Sequence, residues 1–349
     1  MMLKKNSTKN NGEKGVTIIE LLLSMSIFLI GIAAIYGVTR LATIQKNTIN
    51  SRTDQLRSAR IALEYIRRDA LNVGYGYHRT GGNIPDNANN GLFGLASDSD
   101  TFRDLMTSVI AGNNINSNAL NFGVTTDVVA FVSRDPSFNS GALITYTGAA
   151  ASGNAVNVST AANACASCNK YDLYLLESSS GTTQMMGMVS SKLSDNSIQF
   201  AQGTDDPLNL NQSATATGNN QSLLITTPGG GTIKRINMFS YSVTNAGVLV
   251  RKKYGNQTGK TAAEQTESRE LVYGVSDFQI KYYMEDGTTI DDPSNGNDGR
   301  TNQLKMNGVV QIQISITLAS DSNDSQPKVT TPVVIKEFIS TKNLRYEAS

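Results

Sequence analysis

The sequence predicts an α+β protein, in which a long N-terminal α-helix packs on a C-terminal head rich in antiparallel β-sheet. Three observations predict this fold class. An uncharged apolar run extends from Leu21 to Val38. Apolar residues then recur at intervals of three, four and seven as far as Val73, and short β-like segments follow one another from Asp127 onward. We therefore expect a helix whose first half spans a membrane and whose second half is amphipathic.

The composition excludes several classes of function. The 349 residues are ample for a buried core, and 30 Lys and Arg stand against 29 Asp and Glu. A net charge near zero excludes binding of nucleic acid by bulk electrostatics. One His and two Cys are too few for most zinc, haem or iron–sulfur sites, so we expect no cofactor and no metal. Only 17% of residues are charged, which suits an exported β-rich protein better than a cytosolic helical enzyme.

The apolar run is long enough to cross a bilayer. Its eighteen residues from Leu21 to Val38 would rise roughly 27 Å as a helix. Four lysines precede it, which places the N-terminus in the cytoplasm and the rest of the chain outside. A buried core helix would rarely be uncharged over this length. A secretory signal peptide would have a shorter apolar core and a small-residue cleavage site after it, whereas here the sharp change in composition lies before the run, at Gly15 and Val16.

Glu20 is the anomaly in this segment. It lies five residues into the apolar stretch, where an acid costs about 2.5–3.5 kcal/mol if it enters hydrocarbon. Cleavage after Gly15 would expose an α-amine on Val16, one helical turn from Glu20, and the two charges could pair within a subunit or between neighbours. The alternative is an acid at a helix N-terminus that the helix dipole favours.

The stretch KGVTIIELLLSMSIFLIG resembles the class III signal of type IV pilins. It shares a short basic leader, a Gly at the last leader position, and a Glu at the fifth mature position before a long apolar helix. The resemblance implies that a prepilin peptidase cuts between Gly15 and Val16 and N-methylates Val16. It also implies that Glu20 guides docking onto the amine of a neighbouring subunit. The family usually has Phe where Val16 stands, which bears on methylation more than on cleavage.

The helix is expected to continue beyond the membrane to about Asn72, a length of about 78 Å from Leu21. Gly74 and Gly76 predict its end. The charged residues are interpreted as a solvated face rather than a nucleic-acid site, because acids are interspersed and no aromatic stripe accompanies them. The apolar face comprises Ile49, Leu56, Ala59, Leu63, Ile66, Ala70 and Val73, and the charged faces comprise Arg52, Asp54, Arg57, Arg60, Glu64, Arg67, Arg68 and Asp69.

The head is predicted to begin with an irregular region, residues 77–125, containing a short helix at about residues 102–110. From there strands are predicted, of which residues 309–319 alternate apolar with polar and indicate an antiparallel strand with one wet face. The predicted strand segments are 128–133, 142–148, 171–177, 183–190, 197–201, 222–226, 232–243, 247–254, 275–284, 309–319 and 332–340.

Two further stretches narrow the resemblance. ARIALEYIRRDALNVGYGY is similar to the end of the long helix in PilW-type minor pilins, and RELVYGVSDFQIKYYMEDG with GVVQIQISITLAS and FISTKNLR resembles their closing strands. J-type pseudopilins of type II secretion share much of this arrangement. The resemblance covers roughly residues 15–80 and 270–346. It implies a leader of residues 1–15, a pilin helix of residues 16–75 with a span at about 18–40, and a β-rich head of residues 76–349.

Other candidate sites are few. Cys165 and Cys168 are expected to form a local disulfide worth roughly 2 kcal/mol in loop entropy, with free thiols and redox or metal chemistry as the alternatives. The acidic run of residues 291–299 lacks the ligand spacing of a calcium-binding EF-hand and is interpreted as a turn. His78 is interpreted as a satisfied loop histidine rather than part of a catalytic triad. We therefore predict no enzymatic activity.

The predicted function is a minor pilin of a type IV pilus that primes assembly and lies at the tip. Its expected partners are major and minor pilins, the prepilin peptidase and the assembly platform of the inner membrane, with no clear nucleic-acid site. The protein would be single-pass in the inner membrane before assembly and on the cell surface afterwards. The alternatives are a type II pseudopilin, which would share every N-terminal feature, and a membrane-anchored adhesin or ligand-binding module that uses the polar loops at 80–125 and 200–220.

Overall fold

The predicted α+β fold class is confirmed. The computed structural model describes residues 15–97, 101–120, 124–213, 229–292, 303–319 and 332–341. A long helix is followed by a region rich in β-sheet. The chain divides into two compact units, residues 1–54 and residues 55–349. Residues 1–14 of the predicted leader lie outside the described residues, and Gly15 is the one leader residue that the structure describes.

Within the described residues, the secondary structure includes two α-helices, seventeen strands and three short 3-10 helices, the last at Phe138–Gly141, Ala262–Gln265 and Met306–Gly308. The helices are α1 (Ile18–Leu71) and α2 (Ala88–Phe93). The strands are β1 (Gly82–Ile84), β2 (Asp104–Met106), β3 (Val109–Ser117), β4 (Thr125–Arg134), β5 (Ile144–Ser152), β6 (Ala155–Thr160), β7 (Leu173–Ser178), β8 (Gln184–Met188), β9 (Ser191–Ser194), β10 (Ser197–Ala201), β11 (Gly231–Val243), β12 (Val248–Tyr254), β13 (Thr266–Tyr273), β14 (Val275–Met284), β15 (Thr289–Ile290), β16 (Val309–Leu318) and β17 (Val333–Ser340).

In the first unit, the described residues mainly form the N-terminal part of α1. Its N-terminal part is apolar on every face and is long and apolar enough to cross a membrane by length and composition. Among residues 15–54 no side chain is buried. A helix that is apolar all round needs an apolar environment, and the first unit supplies none from its own described residues.

In the second unit, β11 organises the larger sheet. Its first residues, Gly231–Arg235, pair antiparallel with β7, and its later residues, Ile236–Ser242, pair antiparallel with β4. Thirteen of the described strands are hydrogen-bonded into this sheet, with β12 joining β11 and β13 at one side. A strand of thirteen residues can serve two sets of neighbours because each half has its own partners.

The smaller sheet of the second unit has the strand order β15-β14-β16-β17 and is antiparallel throughout. Ile314 of β16 lies opposite Ile280 of β14 on the buried face. This face shares one core with Leu63 and Ile66 of α1, and the alanines at positions 59, 62 and 70 belong to the same core. Small side chains allow the helix to approach the sheet closely, as close packing requires. The alternating pattern of residues 309–319 thus predicted this strand correctly.

The helix ends where the two glycines predict. Gly74 has a φ of 75° and Gly76 a φ of 60°, a region that L-residues rarely adopt. Gly74 N donates to Val132 O of β4 at 3.0 Å, so the chain turns onto the sheet immediately after α1. A Cβ at Gly76 would lie 2.8 Å from Arg134 Cδ, which also favours glycine there.

The prediction of an irregular region at residues 77–125 with a helix at about 102–110 is wrong. β2 and β3 occupy that part of the chain, and the described helix of the region, α2, lies earlier. β2 pairs antiparallel with β1, and β3 pairs antiparallel with β4. Three-residue strands carry no periodicity of their own, so their structure comes from distant partners that local sequence does not reveal.

The later strand predictions agree with the structure more closely. The predicted segments 197–201 and 275–284 coincide with β10 and β14, and the others among the described residues overlap β4, β5, β7, β8, β11, β12, β16 and β17. The predicted strand at 222–226 lies outside the described residues. β6, β9, β13 and β15 were not predicted.

Candidate functional site

Thr17 caps the N-terminus of α1. Its Oγ1 accepts a hydrogen bond from Glu20 N at 3.3 Å, and its carbonyl oxygen accepts the helix's first regular bond from Leu21 N at 3.2 Å. Thr17 is therefore the N-cap, and Glu20 is the third residue of the helix. Thr17 was not predicted as a cap, although a threonine followed three residues later by glutamate is a recognisable helix start.

Glu20 presents its carboxylate on the surface of the first unit. The side chain is exposed, and no hydrogen bond or ion pair of this carboxylate occurs within the described residues. Its position in the first turn is favoured by the helix dipole, by about 0.3–1 kcal/mol at an exposed site. The neighbours Ile19 and Leu21 are 78% and 53% exposed, so the charge lies within an apolar surface. The dipole offsets only a minor share of the cost of placing this charge in hydrocarbon.

Three serine and threonine hydroxyl groups of the apolar segment are satisfied within the helix. Ser24 Oγ donates to Glu20 O, Ser26 Oγ donates to Leu22 O, and Thr39 Oγ1 donates to Ile35 O, each at 2.8 Å. Such bonds to the carbonyl four residues earlier remove the cost of carrying a hydroxyl into an apolar medium. The carboxylate of Glu20 is the charged group of the segment, and it still needs a partner in such a medium.

The predicted solvent-exposed position of Asp69, in the amphipathic half of α1, is wrong. Its side chain was expected among the solvated charges of the helix, but only 5% of it is exposed. Its Oδ2 accepts hydrogen bonds from Arg251 Nε and from Tyr241 Oη, both at 2.7 Å. Burial acts to lower the pKa of Arg251, but the hydrogen bond and charge of Asp69 outweigh it and leave that pKa raised. Burial, followed by the charge of Asp69, raises the pKa of Tyr241.

The buried position of Asp69 could have been recognised from its spacing. It lies three residues after Ile66 and next to Ala70, both of which belong to the core. The prediction assumed that every charged residue of this segment faces solvent and took no account of their different positions around the helix. A carboxylate on the buried side of an amphipathic helix indicates an ion-pair partner elsewhere in the fold, here on β12.

The structure supports the predicted disulfide. The Sγ atoms of Cys165 and Cys168 are 2.03 Å apart, and the two residues are 0% and 1% exposed. Both lie in a core cluster with Val189 and Ile198. The bridge closes a buried turn between β6 and β7 and presents no thiol to solvent, which is the environment of a structural cystine.

His78 is half-buried and engaged on both ring nitrogens. Its Nδ1 lies 2.9 Å from Thr80 Oγ1, and its Nε2 lies 3.1 Å from Gln184 Nε2. Burial lowers its pKa. The interpretation of a satisfied loop histidine agrees with these contacts. The acidic run at 291–299 falls, apart from residues 291 and 292, outside the described residues.

One cavity, of about 210 Å³, lies among α2, β2 and β3. Several of its polar groups are already used by the protein. Asp104 accepts from Asn87 N at 2.9 Å and from Gln303 Nε2 at 3.1 Å, and Thr107 Oγ1 donates to Val109 O at 2.7 Å. A ligand would therefore have to compete with internal hydrogen bonds.

Comparison with known proteins bears on the N-terminal segment. A family model described as the prokaryotic N-terminal methylation motif matches residues 10–36. No curated protein shows a significant match to the chain. The matched residues include Gly15, Val16, Thr17 and Glu20 and most of the exposed large apolar side chains of the first unit.

These findings together support a type IV pilin-like or pseudopilin-like protein with a class III signal. The motif and the exposed apolar helix also fit a protein that is anchored in a membrane by its N-terminal segment. The cleavage at Gly15–Val16, the methylation of Val16 and the pairing of Glu20 stay predictions.

Proposed function

We propose that the chain is a minor pilin subunit of a type IV pilus that helps to prime assembly and lies at the pilus tip. The observation that carries this proposal is the match to the N-terminal methylation motif over residues 10–36, at the start of a helix whose apolar surface is open on all sides. A helix of that kind needs lipid in the precursor and other apolar helices in an assembly. The role is structural rather than enzymatic, and it needs no cofactor.

In this proposal the leader and span hold the precursor in the inner membrane, with the head outside. The prepilin peptidase hydrolyses the peptide bond between Gly15 and Val16, which leaves a mature chain of 334 residues, 349 minus 15. The new amine of Val16 is N-methylated and remains cationic. The mature chain has 26 basic residues against 28 acidic ones, since four Lys and Glu13 leave with the leader.

Glu20 then supplies the counter-ion for a neighbour. An unpaired carboxylate in hydrocarbon costs about 2.5–3.5 kcal/mol, and pairing with the amine of an adjoining subunit offsets much of that cost. The geometry supports this role, because the Glu20 carboxylate makes no hydrogen bond or ion pair within the described residues, and the Thr17 cap engages the Glu20 backbone amide instead. The carboxylate is thus available to an intermolecular partner. The proposed partners are other major and minor pilins, with the assembly platform of the inner membrane.

The test combines mass spectrometry of the mature N-terminus with a Glu20→Ala variant. We expect the mature chain to begin at N-methylated Val16, and Glu20→Ala to be processed normally but incorporated into pili at least tenfold less. Ser24→Ala is the matched control, because it removes a polar group one turn later without changing charge. Normal piliation in Glu20→Ala, or a mature terminus elsewhere, would refute the proposal. Intact pili together with loss of protein secretion would instead assign the chain to a type II secretion system.

A further inference from the structure

The second unit exposes one side of the C-terminal part of α1. Seven residues form this surface, which we call the arginine stripe: Arg57, Arg60, Ile61, Glu64, Arg67, Arg68 and Leu71. At 3.6 residues per turn they fall within an arc of roughly 120°. The buried residues of the same helix, from Ala59 to Ala70, occupy the opposite side. The stripe is therefore a continuous surface of the helix and not a set of scattered side chains.

The charge of the arginine stripe is unbalanced. It contains four arginines and one glutamate. Arg67 lies 3.9 Å from Glu64, and Arg68 lies 3.4 Å from Asp69, whose other oxygen is held by Arg251. Arg57 and Arg60 have no carboxylate partner within the described residues. Like charges three residues apart on a helix destabilise it by a few tenths of a kcal/mol, so an acidic partner would relieve a repulsion that the free subunit carries.

The stripe also carries apolar surface in its middle and at its end. Ile61 is 52% exposed and Leu71 is 39% exposed. All four cations are arginines, and no lysine occurs in α1 after Lys46. Protein interfaces are enriched in arginine and depleted in lysine, and their centres are apolar. A helix face that contacts only solvent requires neither arginine in place of lysine nor exposed apolar side chains.

We propose that the arginine stripe docks onto an acidic, partly apolar surface of an adjoining subunit in the assembly. This inference rests on the proposed function, since it names a contact of the same assembled subunit. The complementary surface would carry carboxylates about one helical turn apart, facing Arg57 and Arg60, beside an apolar contact to Ile61. Charge complementarity favours an acidic surface of another subunit as the partner of the arginine stripe. Without the stripe the mature chain has 22 basic and 27 acidic residues, so a subunit of similar composition carries a surplus of acid elsewhere on its surface.

Nucleic acid fits the arginine stripe less well. Glu64 lies within the stripe and would face a continuous phosphate backbone. The nearest aromatic ring, Tyr65, is already covered by the guanidinium groups of Arg68 and Arg269, at 5.1 and 5.0 Å from its centroid. A base would have to displace one of them in order to stack. A protein surface, by contrast, can provide a cation for Glu64 and carboxylates for the arginines.

The test uses the full-length chain in the cells that produce it. A photo-crosslinking amino acid replaces Ile61 in the stripe, Ile27 in the apolar helix, or Leu193, an exposed apolar residue of β9 that lies outside the stripe. We expect the Ile61 probe to cross-link to a pilin-type subunit at a peptide rich in Asp or Glu, and the Leu193 probe to give at least fivefold less of that product. Arg57→Glu with Arg60→Glu should lower the Ile61 product at least fivefold, whereas Arg57→Lys with Arg60→Lys should retain most of it.

The Ile27 probe separates this inference from the proposed function. If it yields helix-to-helix products while the Ile61 probe yields none, docking through the stripe is overturned and the assembly role stands. Loss of both products overturns the assembly role and the docking with it. An Ile61 product that survives the Glu substitutions, lacks acidic residues, or disappears on nuclease treatment would also overturn the inference. Far-UV circular dichroism of each purified variant in detergent checks that these exposed substitutions leave the fold intact.

Discussion

Asp206 is an acid that the fold buries without a cationic partner among the described residues. It is 1% exposed, and its Oδ2 accepts a hydrogen bond from Asn211 N at 2.6 Å. Its Oδ1 has no hydrogen-bond partner within the described part of the chain. Burial raises the pKa of Asp206 to about 7, against an ordinary value of 3.8, although hydrogen bonds from the backbone act to lower it.

This raised pKa makes the stability of the second unit depend on pH. An acid whose pKa is raised by folding stabilises the fold below its unfolded pKa, and that contribution is lost as pH rises through the folded pKa. We expect the free energy of unfolding to fall between pH 4 and pH 7, by up to about 4 kcal/mol from this group. Asp127, whose pKa burial raises to about 6, acts in the same direction. Denaturant titrations followed by circular dichroism at pH 5 and pH 8 would measure the fall.

Asp206→Asn isolates the contribution of this one group. The substitution removes the buried charge but keeps an oxygen that can accept the bond from Asn211 N. We expect a smaller loss of stability between pH 5 and pH 8 than in the unmodified chain. Asp205→Asn is the matched control, because Asp205 is exposed and pairs with Lys170 at the surface. An equal pH dependence in Asp206→Asn and Asp205→Asn would contradict the assignment.

Residues such as Asp206 and Asp69 show the limit of reading the sequence residue by residue. Glu20 was recognisable because a single charge in an apolar run is anomalous wherever the run packs. The spacing of Asp69 after Ile66 indicates that its side chain is buried, but its partners Arg251 and Tyr241 lie on distant strands, and nothing in the sequence around Asp206 indicates its burial. Thr17 differs from these acids, because its capping motif is visible in the local sequence although no cap was predicted there.

At the scale of the elements, Asp69 fastens α1 to the larger sheet. Arg251 of β12 is itself only 13% exposed at the side chain and stacks on Phe239, with its guanidinium carbon 3.9 Å from the ring centroid. Asp69→Ala would leave this guanidinium buried without its carboxylate. Removing one partner of a buried pair typically destabilises by about 3–5 kcal/mol. We expect a loss of that size, measured by chemical denaturation and far-UV circular dichroism, since the chain has no Trp for fluorescence.

The control for this prediction is an exposed pair on the same helix. Glu64 lies 3.9 Å from Arg67, and both side chains are more than half exposed. Glu64→Ala should therefore change the free energy of unfolding by less than about 1 kcal/mol. The double variant Asp69→Leu with Arg251→Met removes both buried charges and should recover part of the loss. Equal effects of Asp69→Ala and Glu64→Ala would show that the buried pair does not hold the helix to the sheet.

Elements with a strong internal pattern were predictable, and elements defined by their partners were not. β16 was recognisable because Ile312, Ile314 and Ile316 alternate with polar residues. These isoleucines are buried and Ser315 and Thr317 are partly exposed, although Gln313 is buried as well. β1 and β2 have three residues each; they pair with one another, and β1 also pairs with β8. Segments this short show no alternation that would indicate a strand, and the helix predicted at 102–110 was wrong. The mistake follows from non-local pairing.

At the scale of the whole molecule, the two units differ in what the sequence says about them. Function was recognisable in the first unit because a short motif combines a leader, a Gly, an acid and an apolar run at fixed spacing. The matched motif ends at residue 36, so the second unit, with most of the chain, lies beyond it. Its fold class could be predicted from strand patterns, but its strand order and its buried acids required the structure.

The division into two units predicts where the chain can be cut. All three core clusters lie within residues 59–339, whereas the exposed apolar side chains from Val16 to Ile49 lie in the first unit. We expect a chain beginning at Gln55 to be soluble without detergent, monomeric by size-exclusion chromatography, and cooperative in thermal unfolding.

A chain beginning at Val73 is the control, because it also lacks Leu63, Ile66 and Asp69. Each lost Leu or Ile side chain costs roughly 2–5 kcal/mol, which together approaches the whole stability of a typical domain. This shorter chain should therefore aggregate or lose cooperative unfolding. Equal behaviour of the two truncated chains would show that α1 contributes nothing to the core, contrary to the packing of residues 59–70.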